Sequence, residues 1–143
     1  MQFFLACLCV LLSVLSVTAA PTLTSPETRS SASSFLSGTQ KGQGTYYATG
    51  LGACGITNSD TDHIAAVSHL LFDSYPGATA NPNNNPVCGK KITATYKGKH
   101  VTVTVTDRCE GCALTDLDFS PSAFDKLANE SVGRLSGMTW VWA

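Results

Sequence analysis

Two aspartates at the ends of short apolar segments are the residues of this sequence best suited to chemistry. Asp107 directly follows an alternating run at residues 101–106, and Asp118 lies eleven residues further on, between Leu117 and Phe119. Polar side chains at strand ends are often functional because the scaffold holds them still. Two carboxyl groups brought together on one surface could bind sugar hydroxyls or share acid–base catalysis. A structural role is equally open, since Asp118 precedes a helix start and Asp107 begins a turn, where either could cap backbone N–H groups.

The strand that delivers Asp107 belongs to a predicted β-hairpin. Apolar residues alternate with polar ones on both sides of Lys97-Gly98-Lys99, at Ile92, Ala94, Tyr96, Val101, Val103 and Val105. Alternation with period two and β-branched residues predicts half-buried strands, and Gly98 marks the turn between them. Shorter strands are predicted at 44–47, 64–67 and 138–142.

Helix is predicted at only two places. Ser120 and Pro121 supply an N-cap and a first helical position for residues 120–128. Residues 68–72 form at most one further turn. Several short strands with one or two short helices predict a mostly β fold, and the pattern favours a small barrel while leaving a packed sandwich open.

The N-terminal segment predicts export and a single folded domain. Residues 3–17 are apolar apart from two serines and lead to small residues, the pattern of a signal peptide cleaved after Ala19. This run is shorter than the ~20 residues that a membrane-spanning helix needs. Residues 20–43 are rich in Ser and Thr with few large apolar side chains, which predicts a disordered leader. We therefore expect a signal peptide at 1–19, a leader at 20–43 and one domain at 44–143 in a secreted, extracellular protein.

The cysteines agree with an oxidising compartment. Two of the six, Cys7 and Cys9, fall in the signal peptide, and the mature chain keeps Cys54, Cys88, Cys109 and Cys112. An even number in a short secreted chain implies disulfides, and four cysteines allow three pairings. A zinc site is disfavoured because the Cys109/Cys112 pair has no second close pair. A thioredoxin-like redox site is disfavoured because no βαβ pattern surrounds it.

The charge balance argues against long polyanions as partners. Nine Lys and Arg stand against ten Asp and Glu, giving a formal net charge of −1 and no basic patch of the size that nucleic-acid binding requires. A neutral polymer suits this balance. The three histidines are spread out and predict no metal site. We expect a monomer without cofactor, nucleic-acid partner or membrane contact in its mature form, with Asn129 in a candidate N-glycosylation sequon.

Five short motifs, in this order, resemble the double-psi β-barrel domain of expansins, barwin-like proteins and the rare lipoprotein A family. They are Gly44-Thr45-Tyr46-Tyr47, Ala53-Cys54-Gly55, Cys88-Gly89-Lys90-Lys91, Val103-Thr104-Val105-Thr106-Asp107-Arg108-Cys109 and Leu117-Asp118-Phe119-Ser120-Pro121-Ser122-Ala123-Phe124. The resemblance covers nearly all of 44–143 and is strongest to fungal loosenin-type proteins, which lack the second module of expansins. It implies a six-stranded double-psi β-barrel with one or two short helices. It also implies the disulfides Cys54–Cys88 and Cys109–Cys112.

The resemblance further implies a polysaccharide-binding groove. The residues that it assigns to substrate binding are Thr45, Tyr47, Thr49, Asp107, Arg108 and Asp118. In related inverting endoglucanases the residue at Asp118 is the general acid, and the general base follows the first strand. This chain has no carboxylate at residues 46–49.

The missing base favours binding without cleavage. Inverting hydrolysis needs an acid and a base ~6.5–9.5 Å apart on opposite sides of the bond. We predict a protein that binds cellulose, chitin or a matrix glycan and loosens it non-hydrolytically. Two alternatives stay open. One is a cysteine-protease inhibitor or effector-type protein-binding module. The other is a weak endoglucanase-like hydrolase or lytic enzyme, in which Asp107 and Asp118 act as a catalytic pair.

Overall fold

A computed structural model describes residues 34–143 of the chain. The predicted signal peptide and most of the predicted leader lie outside the described residues. The six strands are β1 (Gln40–Tyr46), β2 (Ile64–Ser68), β3 (Lys91–Tyr96), β4 (Lys99–Cys109), β5 (Leu117–Phe119) and β6 (Leu135–Trp142). The helices are α1 (His69–Ser74) and α2 (Pro121–Leu127), with single 3-10 turns at Ser34–Leu36, Pro82–Asn84 and Glu130–Val132.

The strands close into one barrel in the order β1-β5-β2-β4-β3-β6. The pairs β1–β5 and β2–β4 are parallel, and the other four are antiparallel. The predicted six-stranded β-barrel is therefore confirmed, and the sandwich alternative is excluded because the sheet closes on itself. Within residues 34–143 no helix has the length and apolar character needed to cross a membrane.

The predicted hairpin is confirmed as β3–β4, paired from Lys91 opposite Thr104 to Tyr96 opposite Lys99. Lys97 and Gly98 form its turn with φ values of 47° and 82°. Two consecutive residues with positive φ match the right-handed twist of the flanking strands. The alternating apolar side chains point into the barrel, where they join the largest buried residues, Trp140, Phe35, Phe72, Phe119 and Phe124.

Residues 34–43 belong to the barrel rather than to the predicted leader. β1 begins at Gln40, which pairs with Trp140 of β6, and Phe35 is fully buried in the core. The indole Nε1 of Trp142 donates to the carbonyl of Phe35 over 2.8 Å. The polar composition of this segment predicted disorder, but its partners come from the far end of the chain, which composition does not report.

Both helices start where predicted, although the two caps work differently. The Ser68 hydroxyl accepts from the N–H of Leu70 and caps α1. Ser120 occupies the N-cap position of α2 but makes no capping hydrogen bond with its side chain. Its hydroxyl donates to the carbonyl of Asp62 over 2.5 Å, which ties the start of α2 to the segment before β2.

Both disulfides implied by the resemblance are confirmed. Cys54–Cys88 joins the loop after β1 to the segment before β3, and Cys109–Cys112 closes a short loop after β4. The first bridge spans 34 residues of sequence, and the second spans three.

Candidate functional site

The strand registers place three of the predicted site residues, Thr45, Asp118 and Asp107, in a row with Ala66 across four neighbouring strands. Thr45 of β1 lies opposite Asp118 of β5, Asp118 lies opposite Ala66 of β2, and Ala66 lies opposite Asp107 of β4. Adjacent strands are separated by about 4.8 Å, so the backbones of the two aspartates lie about 10 Å apart. The small side chain of Ala66 leaves the space between them open.

A β-bulge turns Asp107 outward. The pairing of β2 with β4 shifts between Ala65 and Ala66, so that Thr106 is passed over. Val105 and Thr106 are consecutive and both buried, which breaks the alternation of β4. Without this irregularity Asp107 would point into the core with Val103 and Val105. Bulges commonly re-aim a side chain beside a functional site.

These residues line a surface groove of about 440 Å³, hereafter the groove. Besides Thr45, Tyr47, Ala66, Asp107 and Asp118, its lining includes Arg108 and the disulfide-closed loop 109–112. Three further lining residues, Gln43, Asp116 and Arg134, were not predicted. Gln43 and Asp116 each stand two residues before a predicted site residue, so a period of two could have found them. No motif or spacing in the sequence indicated that Arg134 would line the groove.

Asp118 is held by Thr45 at one end of the row. The Thr45 hydroxyl donates to Asp118 Oδ1 over 2.6 Å. Burial raises the pKa of Asp118 above its ordinary value, against the lowering effects of the Thr45 hydrogen bond and the Arg134 charge. Among the described residues the side chain caps no backbone N–H, so the helix-capping explanation of Asp118 is wrong.

Asp107 is held by three donors at the other end of the row. Its Oδ1 accepts from the backbone N–H of Ala53 and of Arg108, each over 2.8 Å, and its Oδ2 accepts from the Tyr47 hydroxyl over 3.1 Å. Burial and then the Asp107 charge raise the pKa of Tyr47 far above its ordinary value, so the phenol stays protonated. Asp107 therefore supports the loop after β1 as well as facing the groove.

Gly52 allows that loop to reach Asp107. A Cβ at this position would lie 2.4 Å from the carbonyl oxygen of Thr106, closer than real side chains approach. The glycine lets the loop pass directly over the bulge, where the N–H of Ala53 meets the carboxylate.

The charged rim of the groove is formed by two polar clusters. Arg134 Nη1 donates to Gln43 Oε1 over 2.8 Å, and the N–H of Gln43 donates to Asp116 over 2.7 Å. On the other side, Arg108 Nε donates to Asp73 Oδ1 over 2.8 Å, and its Nη1 contacts Glu110. The predicted Arg108 thus lies at the groove with its guanidinium fixed by two carboxylates.

Thr49 is not brought into the groove. Its N–H and its hydroxyl both donate to Asp60 Oδ1 over 2.8 Å, and these bonds lower the pKa of Asp60. A carboxylate therefore does lie beside Thr49, contrary to the local sequence, because the loop after β1 folds back on residue 60. Neither Thr49 nor Asp60 is among the residues that line the groove.

Tyr46, the last residue of β1, and Tyr47, which follows it, point to opposite sides, as strand alternation requires. Tyr47 lines the groove, whereas Tyr46 packs on Phe124 of α2 with ring centroids 4.8 Å apart.

Asn129, in the candidate sequon, is exposed, and its Oδ1 accepts from the N–H of Ser131 over 2.9 Å. Its glycosylation stays a prediction. Residues 34–143 contain no group of three or more His, Cys, Asp or Glu able to hold a metal.

Replacing Asp118 with asparagine is expected to stabilise the fold near neutral pH. A carboxyl whose folded pKa is raised contributes stability below its unfolded pKa, and this contribution is lost as the pH rises through the folded pKa. The amide removes the buried charge and keeps an acceptor for Thr45. In urea unfolding at pH 3 and pH 7, the free energy of unfolding of the variant relative to that of the wild type should be higher at pH 7 than at pH 3. Asp125→Asn, on the exposed side of α2, is the control, and a less stable Asp118→Asn protein at pH 7 would contradict the argument.

Comparison with known proteins identifies relatives of this barrel. The family model described as lytic transglycolase, a double-psi β-barrel domain, matches residues 39–138. The papain inhibitor of Streptomyces mobaraensis is 37% identical over 102 residues, covering 69% of this chain and 68% of that protein. The Asp f 7 allergen homolog of Arthroderma benhamiae is 39% identical over 112 residues, covering 69% of this chain and 37% of its own. The chain thus spans well under half the length of that relative.

Two solved structures share the fold. The Streptomyces papain inhibitor superposes with a TM-score of 0.67 at 34% identity, covering 74% of this chain and 94% of the inhibitor. A Clavibacter michiganensis expansin in complex with cellohexaose superposes with a TM-score of 0.59 at 25% identity. That match covers 74% of this chain and 50% of the expansin.

Proposed function

The chain belongs to the family of double-psi β-barrel domains described as lytic transglycolase, and on that premise we propose that it is a secreted protein that binds cell-wall polysaccharide in the groove and loosens it without hydrolysis. The observation that carries the proposal is the row formed by Thr45, Asp118, Ala66 and Asp107. It presents two carboxylates on either side of a gap that only a methyl group fills.

The chemistry of the row suits sugar hydroxyls. Carboxylate oxygens accept hydrogen bonds from hydroxyl donors, and such charge-assisted bonds are about twice as strong as neutral ones. Tyr47 adds an aromatic ring with a protonated hydroxyl beside Asp107. A polysaccharide chain in the groove would exchange its inter-chain hydrogen bonds for bonds to these groups, which weakens its attachment to neighbouring chains.

The state of Asp107 favours loosening over hydrolysis. A base that activates water needs free lone pairs, and a carboxylate offers about four. Three of the lone-pair positions of Asp107 are taken by Ala53, Arg108 and Tyr47. Asp60, the carboxylate beside Thr49, does not line the groove. Asp118, whose raised pKa suits an acid, therefore lacks a well-prepared partner for inverting chemistry.

One structural relative supports a glycan partner. The expansin structure that shares this fold is a complex with cellohexaose, which favours a β-linked glucan as the first ligand to test. Secretion rests on the predicted signal peptide at residues 1–19.

The experiment measures retention on cellulose and chitin, weakening of filter paper and release of reducing ends on the same samples. We expect retention and weakening without new reducing ends. Thr45→Val should reduce retention about tenfold, because it removes the hydroxyl that holds the Asp118 carboxyl in its position in the groove, at about 1.4 kcal/mol per tenfold. Thr95→Val, an exposed threonine of β3, is the matched control. Reducing ends released in step with weakening, and lost in Asp107→Asn, would instead establish the hydrolytic alternative.

A second candidate is inhibition of a cysteine protease. It is supported by similarity to the Streptomyces mobaraensis papain inhibitor and by the likeness of the two barrels. A titration of papain activity with the purified protein distinguishes the two candidates. Strong inhibition together with no retention on any polysaccharide would replace the glycan proposal.

A further inference from the structure

A second hollow of about 600 Å³ adjoins the groove along Arg108 and Glu110, which line both. Its floor is formed by the buried residues Phe72 and Asn85. Asp73, Arg108 and Glu110 line one side, and the remaining walls carry small side chains, those of Ala53, Ala78, Thr79, Ala80 and Pro82. Because no large side chain extends across these walls, the hollow is open to a ligand.

Hydrogen bonds and a disulfide connect the segments that line the second hollow. The Asn85 amide donates to the carbonyl of Phe72 over 2.7 Å, and its oxygen accepts from the N–H of Val87 over 3.0 Å. The Cys54–Cys88 disulfide fastens the wall at Ala53 to the same segment. A preformed site avoids the entropic cost of ordering loops on binding.

The boundary between the groove and the second hollow is a ridge formed by the ion pairs of Arg108 with Asp73 and Glu110. The guanidinium of Arg108 is bound by Asp73 and Glu110, and its side chain is only 24% exposed, against 53% for Asp73 and 78% for Glu110. The ridge therefore presents carboxylates to solvent on both flanks. Hydroxyl-accepting carboxylates above small apolar walls repeat the chemistry of the groove itself.

We infer that the groove and the second hollow form one continuous surface that holds a single polysaccharide chain across the Arg108 ridge. The inference rests on the proposed function and deepens it, because it assigns the ligand class as a polymer long enough to occupy both hollows. A short oligosaccharide would fill the groove alone. The shared lining at Arg108 and Glu110 is the observation that joins the two sites.

Calorimetric titration with cello-oligosaccharides and chito-oligosaccharides of two to six units tests this inference. For the wild type we expect affinity to rise with length up to the hexamer. Ala80→Trp fills the second hollow and should lower the affinity for the hexamer about tenfold while leaving that for the shortest bound oligosaccharide unchanged. Asn84→Trp is the matched control, since residue 84 is exposed in the same segment but lines neither hollow.

The outcomes separate this inference from the proposed function. Affinity that does not grow with length, or a hexamer affinity unaffected by Ala80→Trp, overturns the continuous surface and leaves glycan binding in the groove intact. An Ala80→Trp protein altered in papain inhibition but not in hexamer affinity assigns the second hollow to a protein partner and also overturns the inference. Absence of binding to any oligosaccharide or insoluble glycan overturns both proposals.

Discussion

Replacing Asp107 with alanine is expected to lower the free energy of unfolding by about 2–3 kcal/mol and to reduce glycan retention by at least about tenfold. The substitution leaves the N–H groups of Ala53 and Arg108 and the hydroxyl of Tyr47 without their acceptor. A partly buried donor that loses its partner costs about 1–3 kcal/mol. Chemical denaturation gives the first quantity, and retention on cellulose and chitin gives the second.

Asp107→Asn separates the support of the loop from the charge in the groove. The asparagine oxygen still accepts from Ala53 and Arg108, and its amide donates to the Tyr47 oxygen, so stability should return close to that of the wild type. Retention should remain reduced, since the carboxylate that binds sugar hydroxyls is gone. An Asp107→Asn protein that is stable and fully retained would show that the carboxylate serves only the fold.

Removing the Cys54–Cys88 disulfide by a double serine substitution is expected to cost about 3–4 kcal/mol of stability. The bridge spans 34 residues, and closing a loop of that length in the unfolded chain corresponds to this loss in the chain-entropy description. Glycan retention should also fall, because the bridge fastens the loop that contains Ala53. The N–H of Ala53 donates to Asp107, and its side chain forms part of the wall of the second hollow. Thermal and urea unfolding, with retention measured below the transition, test both parts.

The matched control is the double serine variant of Cys109 and Cys112. This bridge spans only three residues, so the same description gives a loss of about 2 kcal/mol or less. Equal losses for the two variants would mean that loop closure does not explain the stabilisation and that local packing at each bridge does.

Local sequence patterns were sufficient for most elements of the barrel, although they did not predict the three-residue strand β5. The β3–β4 hairpin follows from a period of two, because alternate side chains of a strand face opposite sides whatever the rest of the chain does. The start of α2 follows from Ser120 and Pro121, although the Ser120 hydroxyl bonds to Asp62 instead of capping the helix. Such patterns depend on residues within a few positions of each other, which a single sequence displays.

The resemblance identified some of the residues that line the groove, and others could be identified only from the tertiary structure. The resemblance named five of its residues, Thr45, Tyr47, Asp107, Arg108 and Asp118, and a period of two could have added Gln43 and Asp116. Arg134 could not be found, since its contact with Gln43 joins residues 91 positions apart. Thr49, which the resemblance assigned to substrate binding, does not line the groove, because it bonds to Asp60 on a folded-back loop.

Asp107 and Asp118 illustrate the difference between what the sequence determined and what the tertiary structure decided. The sequence by itself determined a β-rich domain with cysteines for two bridges and with two aspartates, Asp107 and Asp118, beside short apolar segments. Only the tertiary structure decided that β5 and β2 lie between β1 and β4, which puts Thr45, Asp118, Ala66 and Asp107 in one row. It also decided that a bulge at Thr106 turns Asp107 outward, where strict alternation would bury it. The physical reason is that strand order and register follow from closure of the whole barrel, which no local pattern encodes.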